Sequence, residues 1–171
     1  RCRAPGSGAG SGRCWVEIVL VGREPELTAA WERTCGDMVG VTVTTAACDL
    51  TSEASVDALM QRLDSFQICF DMLLNIAGVD YEGSFLERDR RDISRIISLN
   101  NDATLRITHA VLSRRREGNP FYLLFTSSLA SMYPMPLKAT YAASKRFLLD
   151  IAVALRAELK NQNVNVLALC P

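Results

Sequence analysis

The sequence has no excess of charge of either sign, a single histidine and no long apolar run. Its 19 basic and 19 acidic side chains cancel, which leaves no bulk attraction to nucleic acid or to an anionic membrane. No apolar stretch approaches the roughly 20 residues that a helix needs to span a bilayer. The opening residues also lack the pattern of a secretory signal. We therefore expect neither nucleic-acid nor membrane binding.

The cysteines are scattered and form no CxxC pair, and only one histidine accompanies them. This distribution argues against a zinc site and against a disulfide framework. It is typical of reduced thiols in a cytoplasmic protein. We therefore expect no metal site and a cytoplasmic location. The cysteines are Cys2, Cys14, Cys35, Cys48, Cys69 and Cys170.

Residues 1–14 are rich in glycine and almost free of apolar side chains, which predicts a disordered or damaged segment. Residues 15–171 are predicted to form one folded domain. The chain begins with Arg1 rather than methionine, and Pro171 directly follows a strand-like run. We therefore expect a fragment at both ends.

Five runs of apolar and β-branched residues alternate with helical segments. Strands are predicted over 15–21, 41–45, 70–74, 121–125 and 164–169, and helices over 25–34, 52–67, 87–116 and 139–160. Strands that are apolar throughout and joined by helices indicate a parallel sheet with helices on both faces. The predicted fold class is α/β, a doubly wound parallel sheet.

Tyr141 and Lys145 can present a phenol and an ammonium group to the same spot. They lie four residues apart in a predicted helix, where positions i and i+4 share one face. A nearby cation favours the phenolate, which suits a tyrosine for acid-base chemistry near neutral pH. Ser128, after the strand 121–125, can bring a hydroxyl group to the same spot. Strand alternation points its neighbour Ser127 the other way, and the thirteen-residue spacing to Tyr141 favours Ser128.

These residues, taken with three other features, resemble the short-chain dehydrogenase/reductase family over about residues 15–171. The other matches are Asp49 after the second strand, Asn75-Ile76-Ala77-Gly78 after the third, and Asn100 in the long helix. The segment from Ser127 through the Tyr141 helix is most similar to bacterial ketoreductases and hydroxysteroid dehydrogenases. The resemblance implies a Rossmann-like NAD(P)-binding domain that transfers hydride between nicotinamide and an alcohol or ketone.

The resemblance also implies a role for each catalytic residue. Tyr141 would pass a proton to or from the substrate oxygen, which Ser128 would hold by hydrogen bonding. Lys145 would favour the phenolate and bind the nicotinamide ribose. Asn100 would kink the long helix and hold a water in a proton relay through Lys145. Asn101 in that role, and a purely structural asparagine, remain alternatives.

On the cofactor side, Asp49 would accept a hydrogen bond from the adenine amino group, with helix capping as the alternative. Asn75, Ala77 and Gly78 would let the backbone approach the adenosine ribose. No acid stands at the end of the first strand to hold a ribose 2′-hydroxyl, and Arg23 follows instead. Because Arg23 could pair with a 2′-phosphate, we expect NADP, with NAD as the alternative.

The first strand, first helix and C-terminal lid of the family are not matched. Residues 6–12 reproduce the glycine spacing of a phosphate loop, but there is no room for a helix before Trp15. A linker-like or miscalled stretch and a truncated phosphate loop remain the two interpretations. Because the lid selects the substrate, the substrate is not predicted. We expect the 171-residue chain to bind a dinucleotide poorly.

The predicted function is that of an NAD(P)-dependent oxidoreductase acting on a small alcohol or ketone, of which this chain is an impaired fragment. A Rossmann-like binding or scaffold module without turnover is the alternative. A sugar-nucleotide epimerase shares the Tyr-x-x-x-Lys spacing, but the matches at residues 75–78 and at Asn100 disfavour it. We expect the intact parent protein to be a homo-oligomer.

Overall fold

The computed structural model describes residues 16–24 and 41–171, together with Glu26, Ala30 and Arg33. These three single residues are helical, in line with the helix predicted over 25–34. The glycine-rich segment 1–14 and its predicted disorder lie outside the described residues. The chain divides into two compact units, Arg1–Ile68 and Cys69–Pro171.

The first unit contains two parallel strands and a packed helix. Strand β1 (Val16–Gly22) pairs in parallel with β2 (Val41–Ala47) along their whole length. Helix α1 (Glu53–Ser65) begins after Ser52, whose hydroxyl accepts a hydrogen bond from the Ser55 N–H at 3.3 Å. The buried side chains of α1 recur at the predicted helical spacing. They are Val56, Leu59, Met60 and Leu63.

The second unit is built on three parallel strands, with β4 in the middle of the sheet. The strands are β3 (Met72–Asn75), β4 (Phe121–Thr126) and β5 (Val164–Leu169). Alternation along β4 buries Phe121, Leu123 and Phe125, each at most 1% exposed. The helix that carries the Tyr-x-x-x-Lys residues, α4 (Ala139–Glu158), packs against β4 and β5.

The long helix predicted over 87–116 is interrupted near its middle. It consists of α2 (Arg90–Ile97), a π-helical turn (Ser98–Ala103) and α3 (Thr104–Leu112). Such a turn adds a residue to the helical repeat and is frequent at functional sites. Ile96 is buried, whereas its neighbour Ile97 is 45% exposed, because neighbouring helical residues point about 100° apart.

The prediction of an α/β fold with parallel strands is confirmed. The described residues contain five strands, which form two parallel sheets, one in each unit.

The expectation that all cysteines are reduced thiols is wrong at Cys69, which is half of a disulfide. Cys48 and Cys170 are free thiols, and Cys48 is buried. Spacing along the chain does not reveal which thiols the fold brings together, so the sequence could not predict this bond.

Within the described residues, no group of three or more histidine, cysteine, aspartate or glutamate side chains is arranged to hold a metal ion. None of the helices in the described part of the chain is long and apolar enough to cross a bilayer.

Candidate active site

The predicted catalytic residues lie at the edge of the second unit where β3 and β4 end. The two strands are parallel, with Asn75 opposite Phe125, so both end at the same edge of the sheet. The loop 76–84 follows β3, and the loop 127–138 follows β4 and leads into α4. In doubly wound sheets this edge is where ligands bind.

Asn100 is the hydrogen-bonding centre of this edge. Its side chain is fully buried and sits in the π-helical turn. The Oδ1 atom accepts a hydrogen bond from the Val79 N–H at 2.8 Å, and Nδ2 donates to the Val79 carbonyl at 3.0 Å. Nδ2 also donates to Ser144 Oγ at 3.1 Å. Asn100 therefore ties the loop after β3 to helix α4. On the loop it bonds both the N–H and the carbonyl of Val79, and on the helix it bonds Ser144.

Gly78 packs directly against this network. A Cβ atom built on Gly78 would lie 3.1 Å from Asn100 Oδ1 and 3.5 Å from Lys145 Nζ. The first of these separations is tighter than ordinary van der Waals contact, so a side chain here would press on the buried amide. The glycine thus leaves a small space beside the amide and the ammonium group.

Ser144 is a member of the network that the sequence did not single out. It is buried, accepts the hydrogen bond from Asn100, and donates one from Oγ to the Tyr141 carbonyl at 2.7 Å. Its position inside the Tyr-x-x-x-Lys spacing was the available signal. Asn101, the competing candidate, bonds elsewhere: its Nδ2 donates to the Ser144 carbonyl at 2.9 Å.

Lys145 is buried beside the loop after β3, with only 5% of its surface exposed. Its Nζ donates a hydrogen bond to the Thr126 carbonyl at 2.8 Å. Burial lowers the pKa of Lys145 below its ordinary value, and the negative charge of Asp80 opposes that shift. The ammonium group is therefore held in a fixed place by the end of β4.

Tyr141 and Lys145 come together as their spacing predicts. Lys145 Nζ lies 5.7 Å from the centre of the Tyr141 ring, within the range of a cation–π contact. Tyr141 itself is half-buried. The pair offers a proton-carrying phenol beside a fixed cation.

Ser127 and Ser128 differ in the way that strand alternation predicts. Ser127 is 2% exposed, and its hydroxyl donates to the Lys145 carbonyl at 2.8 Å. Ser128 is only half-buried, and its Oγ accepts a hydrogen bond from the Ala130 N–H at 3.2 Å. Ser127 is thus engaged in packing, whereas the Ser128 hydroxyl retains its own proton to donate.

A model of the short chain dehydrogenase family matches residues 15–171. The chain belongs to this family. A very-long-chain 3-oxoacyl-CoA reductase from Laccaria bicolor is 28% identical over 153 residues, which make up 87% of this chain and 45% of that protein. The chain spans about half the length of the first curated relatives it matches.

Solved structures of short-chain dehydrogenases are also similar to the chain. One from Sphingobium yanoikuyae, in complex with NADPH, is 29% identical with a TM-score of 0.81, across 91% of this chain and 60% of that one. The bulky-bulky ketone specific alcohol dehydrogenase from Comamonas testosteroni is 26% identical with a TM-score of 0.80, across 91% of this chain and 62% of that one.

In this family member, the cofactor residues predicted in the second unit lie at the end of β3 and directly after it. Asn75 closes the strand, and its Nδ2 donates a hydrogen bond to the buried Thr108 at 3.0 Å. Ala77 and Gly78 come next and are exposed. Asn75 therefore fixes the start of the loop, and the two small residues present backbone at the sheet edge.

The cofactor residues predicted in the first unit, Arg23 and Asp49, lie just after the ends of β1 and β2. These two ends are joined by a hydrogen bond of 3.0 Å from the Cys48 N–H to the Gly22 carbonyl. Arg23 is exposed and lies 3.8 Å from the carboxylate of Glu24, an acid that the cofactor prediction did not consider. Asp49 Oδ1 accepts from the Thr51 N–H at 3.0 Å and from its hydroxyl at 2.7 Å. Ser52, not Asp49, caps α1. The hydrogen bonds from Thr51 to Asp49 instead stabilise a local turn before the helix.

The two serines should differ in their effect on stability. We expect Ser127→Ala to lower the free energy of unfolding by about 1–2 kcal/mol, because it removes a buried hydrogen bond to the Lys145 carbonyl. Ser128→Ala should cost less than about 1 kcal/mol, because water can replace a half-exposed cap. Urea unfolding of both variants measures the difference. A larger loss for Ser128→Ala would contradict these assignments.

Proposed function

We propose that this protein is an NADP-dependent oxidoreductase that interconverts ketones and alcohols. The observation that carries the proposal is the Tyr141–Lys145 pair, tied through Ser144 and Asn100 to the loop that holds Gly78. Membership of the short chain dehydrogenase family supports the same chemistry.

Each residue has a defined part in the proposed reduction. Tyr141 gives its phenolic proton to the carbonyl oxygen, and Ser128 donates a hydrogen bond to that oxygen. Lys145 stabilises the phenolate that remains. Bound NADPH would supply the hydride for the carbonyl carbon. Both N–H groups of Asn100 are already used, so its main part is to hold the loop and α4 in register.

The close approach of the Gly78 backbone to Lys145 supports a nicotinamide cofactor at this edge. A Cβ atom at Gly78 would fill the cradle next to Lys145 Nζ, whose ammonium group can bind ribose hydroxyls. Asn75 and Ala77 would bring the backbone to the adenosine ribose, and Asp49 would bind the adenine amino group. The NADPH complex of the relative from Sphingobium yanoikuyae supports this cofactor.

Arg23 is proposed to pair with the 2′-phosphate that distinguishes NADP from NAD. Replacing it with alanine should raise the KM for NADPH roughly tenfold and leave the KM for NADH unchanged, because one charged hydrogen-bonding group is lost. Steady-state kinetics on the protein expressed from its complete reading frame measures both values. Arg156→Ala, an exposed arginine at the end of α4, is the matched control. A clear preference of the unmodified protein for NADH would contradict the proposal.

Small-molecule carbonyl compounds are the proposed substrates, and the ketone and 3-oxoacyl-CoA specificities in the names of two relatives support that class. A binding or scaffold module without turnover would need neither a buried Lys145 nor its contact with Tyr141. A panel of ketones assayed with NADPH separates the two, since a scaffold would consume none. Homo-oligomeric assembly and cytoplasmic location remain predictions.

A further inference from the structure

A second lysine lies as close to Tyr141 as Lys145 does. Lys138 Nζ is 5.6 Å from the centre of the Tyr141 ring, against 5.7 Å for Lys145 Nζ. Both distances fall within the roughly 6 Å at which a cation interacts with an aromatic ring. Lys138 is the residue directly before α4, so it stands outside the Tyr-x-x-x-Lys spacing that identifies the other lysine.

Lys138 is held at this position by the loop after β3. Its Nζ donates a hydrogen bond to the carboxylate of Asp80 and lies 3.5 Å from that of Glu82. The backbone is fixed as well, because the Gly83 N–H donates to the Leu137 carbonyl at 2.9 Å. Leu137 has a φ of 66°, an uncommon left-handed conformation for a leucine. The two loops around the site are therefore joined just where Lys138 meets the ring.

The two lysines share the influence of one carboxylate. The hydrogen bond to Asp80 is the main cause that raises the pKa of Lys138 above its ordinary value. The charge of Asp80 also acts on Lys145, where it opposes the lowering of the pKa by burial. Asp80 thus favours the cationic form of Lys138 and counteracts part of the effect by which burial disfavours the Lys145 cation.

Tyr81, on the loop after β3, contacts two arginines. Tyr81 lies under the guanidinium of Arg88, 5.2 Å from the ring centre, and its hydroxyl accepts a hydrogen bond from Arg95 at 3.4 Å. The charges that the structure brings to Lys138 or Lys145 from this loop are therefore those of Asp80 and Glu82.

We propose that Lys138 is a second cation of the proton-transfer site, a positioning residue that Asp80 and Glu82 hold against the Tyr141 ring. The proposal rests on the proposed function, in which Tyr141 carries the proton. In this arrangement two ammonium groups, one buried and one at the loop junction, favour the phenolate.

Removing Lys138 should move the ionisation of Tyr141 to higher pH. The change deletes a positive charge, and it leaves Asp80 and Glu82 near the ring without the cation that offsets them, so both effects oppose the phenolate. For a unit charge roughly 6 Å from the ring centre in a partly exposed site, we expect a displacement of about 0.5–2 pH units. Lys138→Arg, which keeps the cation, should give a displacement below about half a pH unit.

The test is a spectroscopic titration of phenolate absorbance in the 171-residue chain. Subtracting the curve of the Tyr141→Phe variant in each background isolates the contribution of Tyr141. The variants are Lys138→Met and Lys138→Arg, and Lys160→Met is the control because Lys160 is the only other lysine and is exposed beyond the end of α4. The proposal predicts a displaced midpoint in Lys138→Met alone. If Lys138→Met does not fold by circular dichroism, Lys138→Gln takes its place.

An unchanged midpoint in a folded Lys138→Met or Lys138→Gln variant would overturn the proposal. An equal displacement in Lys160→Met would also overturn it, because the effect would then be one of net charge. The titration needs neither cofactor nor turnover. It therefore fails or succeeds separately from the proposed function, which is tested by NADPH-dependent reduction.

Discussion

Replacing Tyr141 with phenylalanine should lower the rate of NADPH-dependent ketone reduction by about 10²–10⁴-fold, the usual contribution of a positioned general acid. The variant keeps the ring that Lys138 and Lys145 contact and removes only the hydroxyl group. Because the proton donor is lost while the fold is kept, the loss should fall on kcat rather than on the KM for NADPH. Steady-state kinetics at saturating cofactor measures both.

Tyr122→Phe is the matched control for this loss. Tyr122 lies on β4 with 47% of its surface exposed, near the start of the strand and away from the edge that carries the candidate site. It should keep the activity of the unmodified protein, and both variants should unfold at similar urea concentrations. A Tyr141→Phe protein that is folded and retains more than about a tenth of the rate would contradict the role assigned to the phenol.

Asn100→Ala is expected to have the largest effect on stability, a loss of about 2–4 kcal/mol in the free energy of unfolding. The change leaves both the N–H and the carbonyl of Val79 without their partner, and each such group costs about 1–3 kcal/mol when buried. It also removes the bond to Ser144. Urea unfolding of the 171-residue chain provides the measurement.

Asn101→Ala is the control for Asn100, since it alters the same π-helical turn by the same substitution. Asn101 makes a single side-chain hydrogen bond, to the Ser144 carbonyl, so its loss should cost about 1 kcal/mol. Equal destabilisation by the two variants would show that the turn itself, rather than the tie between Val79 and Ser144, is what Asn100 supplies.

The alternation of helices and parallel strands could be predicted because it rests on local patterns. Apolar runs such as Phe121–Thr126 form buried strands, and Val56, Leu59, Met60 and Leu63 recur on one face of a helix. Periodicity did not predict the interruption at Ser98–Ala103, whereas the family resemblance implied a kink at Asn100, which lies in this turn.

The candidate site shows the same division between local and distant contacts. Tyr141 and Lys145 could be paired from sequence because one helix carries both, and strand alternation separated Ser127 from Ser128. The contact of Lys138 with Asp80 joins two loops far apart in sequence. No spacing rule connects them, and neither residue belongs to the pattern that the family resemblance supplied.

The measurement that tests the central claim most directly is isotope transfer. NADPH deuterated at both hydrogens of nicotinamide C4 is incubated with a ketone and the protein expressed from its complete reading frame, and the alcohol is examined by mass spectrometry. If Tyr141, Lys145, Ser128 and Asn100 form the site of an NADP-dependent reductase, deuterium appears on the carbinol carbon, and Tyr141→Phe suppresses its appearance. Alcohol formed without deuterium, or deuterium transfer that is equally fast in Tyr141→Phe, would contradict the account.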